Sequence, residues 1–411
     1  MGADARPWLI PIATIFLLQT SSSFLCRIIP IIWPALAMEF AWDDSQIGYL
    51  TAANNFGALF ILLTGISLMR RLGSIRALQA SLLVGSTAVC LFFMPVLSIV
   101  LLGCLLVGIS QGVASPAGSE VLQRFSPPQS RNLVFSVKQA GVPLGGVLAG
   151  LVIPPLVLLA GWRGALACAG LLVAAGVWLT WKWRDQIDVA QPQSSRKHAV
   201  REHRGLRAVI LPLKSLSERP GLLKMCLAGL FLAGNQACWF AFMVTYLIVA
   251  LDYSLSLAGA VFAVMQVCGA FGRIALGWMA DHTGNARPIL FASAVVSTIA
   301  TLLLGLSTPA WPLWTVVALA AAAGFGVSGW NGVHFAELAR RSAPGRITET
   351  AAGSSILLNT ANMTAPGIFA IIAGISGRLD YSLFVIAGFS LAAAVLLAGI
   401  DRPGRGTASI G

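Results

Sequence analysis

The sequence predicts an all-α membrane protein of twelve transmembrane helices, and three observations predict it. Apolar runs close to twenty residues recur along the whole chain, long enough at ~1.5 Å per residue to cross ~30 Å of hydrocarbon. Only 10% of the 411 residues are charged against 57% hydrophobic, with a mean hydropathy of +0.82, where a soluble chain carries roughly 25% charged residues. The basic residues are one-sided: of 27 Lys and Arg, three lie inside apolar runs and two, Arg163 and Arg378, in loops on one side, which leaves 22 on the other. Lipid supplies no hydrogen bonds, so a span is a helix or part of a closed barrel, and the alternation of barrel strands is absent.

The spans are expected at 8–37, 47–69, 76–95, 98–122, 132–157, 162–183, 222–250, 255–280, 286–306, 312–339, 348–374 and 380–400. The first is broken by Arg27, Pro30 and Pro34 and is too long for the apolar region of a signal peptide, so it is expected to be retained as a helix. A polar stretch rich in Gln, Ser, Arg and His, 184–221, reads as a linker between an N-terminal six-helix half, 1–183, and a C-terminal half, 222–411. The excess of Lys and Arg on the linker side places the linker and both termini in the cytoplasm. The net charge of +12 is thereby accounted for by topology and contact with anionic lipid of the bilayer, and no nucleic-acid partner is expected. All seven cysteines fall within spans without metal-ligand spacing, so neither a metal nor any other cofactor is expected.

The two halves resemble each other. Glu120-x-x-x-Arg124 ends the fourth span and Glu337-x-x-x-Arg341 the tenth; Arg71-Leu-Gly73 follows the second and His282-Thr-Gly284 the eighth. The fifth span carries Lys138-Gln-Ala-Gly-Val-Pro143 and the eleventh Asn359-Thr-Ala-Asn-Met-Thr-Ala-Pro366. Three landmarks in one order, 211 to 221 positions apart, mark two six-helix pseudo-repeats, a known way of building transporters. The stretch Gly277-Trp-Met-Ala-Asp281-His282-Thr-Gly284-Asn-Ala-Arg287 resembles the signature loop of the major facilitator superfamily, approximately G-x-x-x-D-R/H-x-G-R-R. The resemblance covers essentially the whole chain; within that superfamily the arrangement resembles bacterial carriers of small organic anions and is distantly similar to monocarboxylate- and oxalate-type transporters, which also use an eighth-span arginine. It implies halves that rock about a midplane site in a bacterial inner membrane, and a monomer.

The resemblance also implies that Asp281 latches a gate by meeting the positive end of the fifth span, near Ser130 and Arg131. In the first-half copy, aligned on Gly73, Arg70 stands at the aspartate position. Two readings stand: a reversed latch between Arg70 and Glu349 of the eleventh span, or an ordinary topology-setting arginine.

Three cations, Arg27, Lys138 and Arg273, interrupt apolar runs while all fifteen Asp and Glu lie outside the runs or at their edges. An intramembrane charge is costly unless it faces a cavity or a partner, and the missing partner here is an anion that comes and goes. Arg273 is the expected carboxylate anchor, ~12 Å from the signature loop, with Gln266 on the same face and a guanidinium fork that suits a carboxylate. Lys138 is expected at similar depth on the fifth span, which packs on the eighth in this superfamily. Convergence with Arg273 would offer a route to proton coupling without an acid, and snorkelling to the cytoplasmic face is the alternative. Arg27, ~28 Å along the first span, reads either as an entrance for anions or as a partner of Glu39 or Asp43. Amides complete the candidate set: Gln111, Asn235, Gln236, Asn331, Asn359 and Asn362, with Asn54 and Asn55 in the second span. Many such amides only join neighbouring helices. Trp239 and Trp330 are candidates for an apolar wall, and His334 for a structural cluster with Glu337 and Arg341.

The function these residues favour is secondary transport of a small organic anion by proton symport. Proton-coupled efflux of drugs or metabolites is the first rival, weakened for cationic drugs by the absence of an embedded acid; a membrane sensor without transport is the second. No metal cluster or nucleophile–base pair suggests an enzyme.

Overall fold

A computed structural model describes residues 8–65, 69, 71–125, 131–189, 213–219, 221–283, 285–343 and 347–400; for residues 115, 123, 131–136, 281, 339 and 347–349 it describes the backbone alone. Among these residues the chain is helical without strands, and eleven helical stretches are long and apolar enough to cross a membrane. The longest, Val137–Asp188, counts twice, because Gly161 (φ +66) reverses the chain inside the helical run Arg131–Thr180. A side chain would strain that left-handed conformation.

Twelve spans result. They are α1 Leu9–Phe40, α2 Ile47–Thr64, α3 Ser74–Ala88, α4 Leu97–Phe125, α5 131–160 and α6 162–180 in the first half. In the second they are α7 Leu222–Val249, α8 Leu255–Thr283, α9 Ala286–Gly305, α10 Leu313–Arg341, α11 Ile347–Ser376 and α12 Leu379–Ala398. Most boundaries fall within a few residues of those expected. In α10 the helix Leu313–Ala323 passes through a π turn, Gly324–Ser328, before continuing as Asn331–Arg341. The end at which α6 finishes and α7 begins is called here the linker end, and the opposite one the far end.

The apolar residues on the outer faces are lipid-facing in character: Leu159, Trp178 and Ile375 are 83%, 75% and 84% exposed. Inside, small residues set the spacing. Backbones approach closely where glycine stands, as where α1 meets α5: a Cβ on Gly145 would fall 2.6 Å from the Phe24 nitrogen.

Charged residues tie the helix ends at the linker end. Beyond α6 the chain forms a short helix, Arg184–Val189, and Asp188 there accepts from the backbone N–H groups of Ile75 (3.0 Å) and Arg76 (3.1 Å), capping α3 from a distant part of the sequence. Arg76 pairs with Asp185 at 2.7 Å. In the second half Arg287, the repeat equivalent of Arg76, donates to the Leu397 carbonyl (2.8 Å) and to that of Ala398, closing the end of α12. Both copies of the Glu-x-x-x-Arg landmark form i,i+4 ion pairs, Glu120 with Arg124 and Glu337 with Arg341. His334 departs from the expected cluster: it contacts the Ser354 hydroxyl of α11 at 3.1 Å, while Glu337 is held by Arg340 and Arg341.

The halves meet at the far end along α2–α11 and α5–α8. A Cβ on Gly48 of α2 would lie 2.2 Å from the Pro366 carbonyl oxygen of α11, and one on Gly259 of α8 would lie 2.5 Å from the Gly150 carbonyl oxygen of α5. Asp188→Ala removes the α3 cap and is expected to cost about 1 kcal/mol, read as a lower thermal unfolding midpoint of the full-length protein in one detergent.

Candidate functional site

Between the halves, at mid-depth of the spans, lies a cavity of about 180 Å³. Its wall carries two cations, Arg27 of α1 and Arg273 of α8, and six amides: Asn54, Asn55, Gln111, Gln236, Asn331 and Asn362. Thr51, Cys26 and an apolar side of Ile29, Pro30, Val142, Ala237, Phe240 and Ala241 complete it, and no carboxylate is among these residues.

Local structure explains how the arginines are held. Gly269, Gly272 and Gly324 let α8 and the π turn of α10 touch backbone to backbone; a Cβ on Gly324 would sit 2.4 Å from the Met265 carbonyl oxygen. That contact brings the last carbonyl of the turn, Ser328, within reach of Arg273 Nε (3.2 Å) and Asn331 Nδ2 (3.4 Å). Helical irregularities of this kind recur at functional sites. Asn331 Nδ2 also reaches Gln236 Oε1 at 3.4 Å. Arg27 is held differently. Its guanidinium lies over the Phe240 ring, 3.9 Å from the centroid and across the interface between halves, an attraction of roughly 0.5–2 kcal/mol.

Two donors in this wall have no acceptor. Arg27 Nε and Gln236 Nε2 are buried without a hydrogen-bond partner among the described residues. Buried polar groups are nearly always bonded, so two orphaned donors, one of them on a cation, describe a wall complementary to a ligand rich in negatively charged or lone-pair oxygen.

Of the residues expected from sequence, Arg27, Gln111, Gln236, Arg273, Asn331 and Asn362 come together here. Three do not. Lys138 is buried in the first half, its Nζ donating to Ser119 Oγ at 3.1 Å and its chain packed on Gly118. The expected convergence with Arg273 is therefore corrected: Arg27, not Lys138, shares the cavity with it. Asn235 is fully buried and turned away from the cavity on α7, accepting from Thr301 Oγ1 at 3.2 Å. Asn359 donates to the Ser355 carbonyl one turn back and is absent from the wall. Arg27 lies in the cavity wall. Glu39, one of its expected partners, is engaged by Arg163 (2.7 Å) and Trp162, and Asp43 caps Ser45.

The gating expectations lie outside the described residues: Arg70 altogether, and the side chains of Asp281 and Glu349. Trp239 and Trp330 are packing residues, bonded to Thr301 Oγ1 and the Val327 carbonyl, and the aromatic wall is Phe240 instead. Sequence reasoning missed Phe240 and Thr51. The i, i+3, i+4 spacing of Thr51, Asn54 and Asn55 was a usable signal, since it puts three polar groups on one helix face. Phe240, four residues after Gln236, carried none beyond its phase.

A helical membrane protein with a central polar cavity between two repeats is the architecture of a carrier. The family model of the Major Facilitator Superfamily matches residues 15–359. The chain belongs to that superfamily, whose members are transporters. It is similar to a gallate transporter of Pseudomonas putida, 26% identical over 328 residues that cover 71% of each chain. It is also similar to the 4-hydroxybenzoate transporter PcaK of Pseudomonas aeruginosa, 25% identical over 281 residues, 61% of each. An uncharacterized MFS-type transporter of Mycobacterium tuberculosis is 29% identical over 194 residues, 47% of this chain; the match spans only 41% of that relative's length. In fold, the chain matches a bacterial homolog of the human lysosomal transporter Spinster with a TM-score of 0.74 at 16% identity, covering 94% of this chain and 95% of the other.

The neighbours Asn235 and Gln236 separate structural from cavity roles. Asn235→Ala is expected to lower stability by about 1–2 kcal/mol. Gln236→Ala should leave the unfolding midpoint within about 0.5 kcal/mol while changing transport. Thermal unfolding and transport assays on the two variants check this.

Proposed function

We propose that this protein is a secondary transporter that moves a small organic carboxylate across a bacterial inner membrane by alternating access, in symport with protons. The observation that carries the cargo class is the cavity wall: Arg27 and Arg273, unpartnered donors on Arg27 and Gln236, and no carboxylate among the lining residues. A guanidinium stays charged through the whole cycle and offers a planar fork that fits a carboxylate. An aromatic acid suits the wall best within that class. Its ring meets Phe240 and the alanine side, its carboxylate meets the arginines, and ring hydroxyls meet the amides. The relatives named for gallate and 4-hydroxybenzoate support this choice.

The rocking units of this reading are the halves 1–183 and 222–411, joined by 184–221, in a monomer whose termini and linker face the cytoplasm, as the charge asymmetry supports. Asp281, Arg70 and Glu349 remain the proposed gate residues at that end. For coupling we propose Lys138, the titratable group buried beside Ser119. Its protonation would be felt through α5, the helix that also carries Val142 into the cavity wall.

Uptake of labelled benzoate-type and aliphatic carboxylates into proteoliposomes, with and without an imposed pH gradient, tests the reading. Saturable uptake of aromatic carboxylates is expected, and Arg273→Gln should weaken apparent affinity by roughly 10- to 100-fold, the loss of charge-assisted hydrogen bonds worth ~1.5–3 kcal/mol. Wild-type-like uptake in Arg273→Gln, or indifference to anions across the panel, would sink the cargo assignment. Lys138→Gln should keep substrate exchange and lose accumulation driven by the pH gradient; accumulation that survives removes Lys138 from the coupling.

A further inference from the structure

Asn55 is a cavity residue whose amide nitrogen is spent on protein. Its Nδ2 donates to the Thr51 carbonyl of its own helix (2.9 Å) and, across the interface between halves, to the Asn362 carbonyl of α11 (2.8 Å). The acceptor is available for a covalent reason. In an α-helix the carbonyl of residue 362 would bond the N–H of residue 366, and residue 366 is proline, which has none. We propose that Pro366 and Asn55 form a latch that holds the far end of the cavity shut: the proline leaves an orphan carbonyl at Asn362 on one half, and the asparagine of the other half satisfies it. The inference rests on the alternating-access reading above.

The location fits. α2 runs from the far end inwards and α11 towards it, so Asn55 and Asn362 sit at the inner edge of the contact that Gly48 makes with Pro366 and Ala370. Opening the far end separates α2 from α11 and returns the Asn362 carbonyl to an unpaired state until water arrives. Among the described residues, the repeat shows the same construction without its hydrogen bond. Gly259 and Gln266 of α8 follow Gly48 and Asn55 by 211 positions, the offset that relates Gly73 to Gly284. Gly259 lies on the Gly150 carbonyl of α5, and the Gln266 side chain lies against Gly146, whose added Cβ would meet its Nε2 at 2.1 Å. Both interfaces thus pair a glycine on a carbonyl with an amide seven residues further in. Only on α11 does a proline stand four residues beyond the contact of that amide, and there the amide makes a cross-half bond.

Hydrogen–deuterium exchange of the full-length, substrate-free protein in lipid nanodiscs tests the latch, read on peptides covering 41–50 and 366–378. Asn55→Ala is expected to raise exchange there about fivefold, the factor one ordinary hydrogen bond supplies. Pro366→Ala, which returns an N–H to the Asn362 carbonyl, should act similarly, and the double variant should exceed neither single one. Gly48→Ala should open the same end by sterics alone. If Asn55→Ala melts, Asn55→Leu keeps the volume without the donor and carries the same expectation. Unchanged exchange in the Asn55 variants, or effects of Asn55→Ala and Pro366→Ala that simply add, would overturn the latch. The readout needs neither substrate nor the arginines, so a failed carboxylate panel with this pattern intact counts against the cargo alone, and the reverse against the latch alone.

Discussion

The cavity wall is built around two positive charges, Arg27 and Arg273, with no carboxylate among its lining residues. Placing a cation at mid-depth of a bilayer costs several kcal/mol unless something replaces its water. Here the replacements are neutral: the face of Phe240 for Arg27 and the carbonyl of Ser328 for Arg273. Neutral dipoles hold a charge in place without cancelling it. The field of the pair therefore remains available to whatever enters the cavity. A carboxylate in the wall would have been a stronger partner for either arginine, and it would have competed with an anionic cargo at every step.

Holding charges with dipoles demands that backbones come close, and the sequence supplies this with glycine and proline. Gly269, Gly272 and Gly324 bring the π turn against α8 so that one carbonyl can serve both Arg273 and Asn331. Gly48 and Gly259 do the same between halves at the far end. Proline works on the acceptor side, because each one inside a helix leaves a carbonyl without its usual donor. Polar backbone stranded in this way is tolerable in a membrane protein only where protein or a cavity faces it. Pro30 and Pro366 fall on the wall or at its edge, where that condition holds.

Fold and family were legible because they depend on quantities that add up along the chain: span length, charge asymmetry and a repeat with a constant offset. The site was legible only in part. Arg27 and Arg273 stood out because a charge in an apolar run is conspicuous in any fold. Lys138 was equally conspicuous and went elsewhere, since its side chain reaches Ser119 within its own half. The amides show the limit most sharply. Asn235 and Gln236 are chemically alike and adjacent, but at 3.6 residues per turn one step rotates the side chain by about 100°. One faces Thr301 and the other the cavity. Periodicity fixes the relative phase of residues on a helix, whereas the direction of the cavity is set by neighbouring helices.

The same reasoning explains why the far-end contact was harder to foresee than the cavity arginines. Charged pairs advertise themselves in a sequence, and the gate expectations accordingly rested on Asp281, Arg70 and Glu349. The α2–α11 contact at the far end is made without a charged side chain among the residues that form it. It needs a glycine so that α2 can touch α11, a proline to strand a carbonyl, and an asparagine two turns along the same face of α2 to find it. Each residue alone reads as ordinary helix packing or a kink. A hydrogen bond of this kind, worth about 1 kcal/mol, is strong enough to bias two conformations and weak enough to break in every cycle. A carrier that must open both ends in turn is better served by such a contact than by a buried ion pair, whose rupture would leave an uncompensated charge.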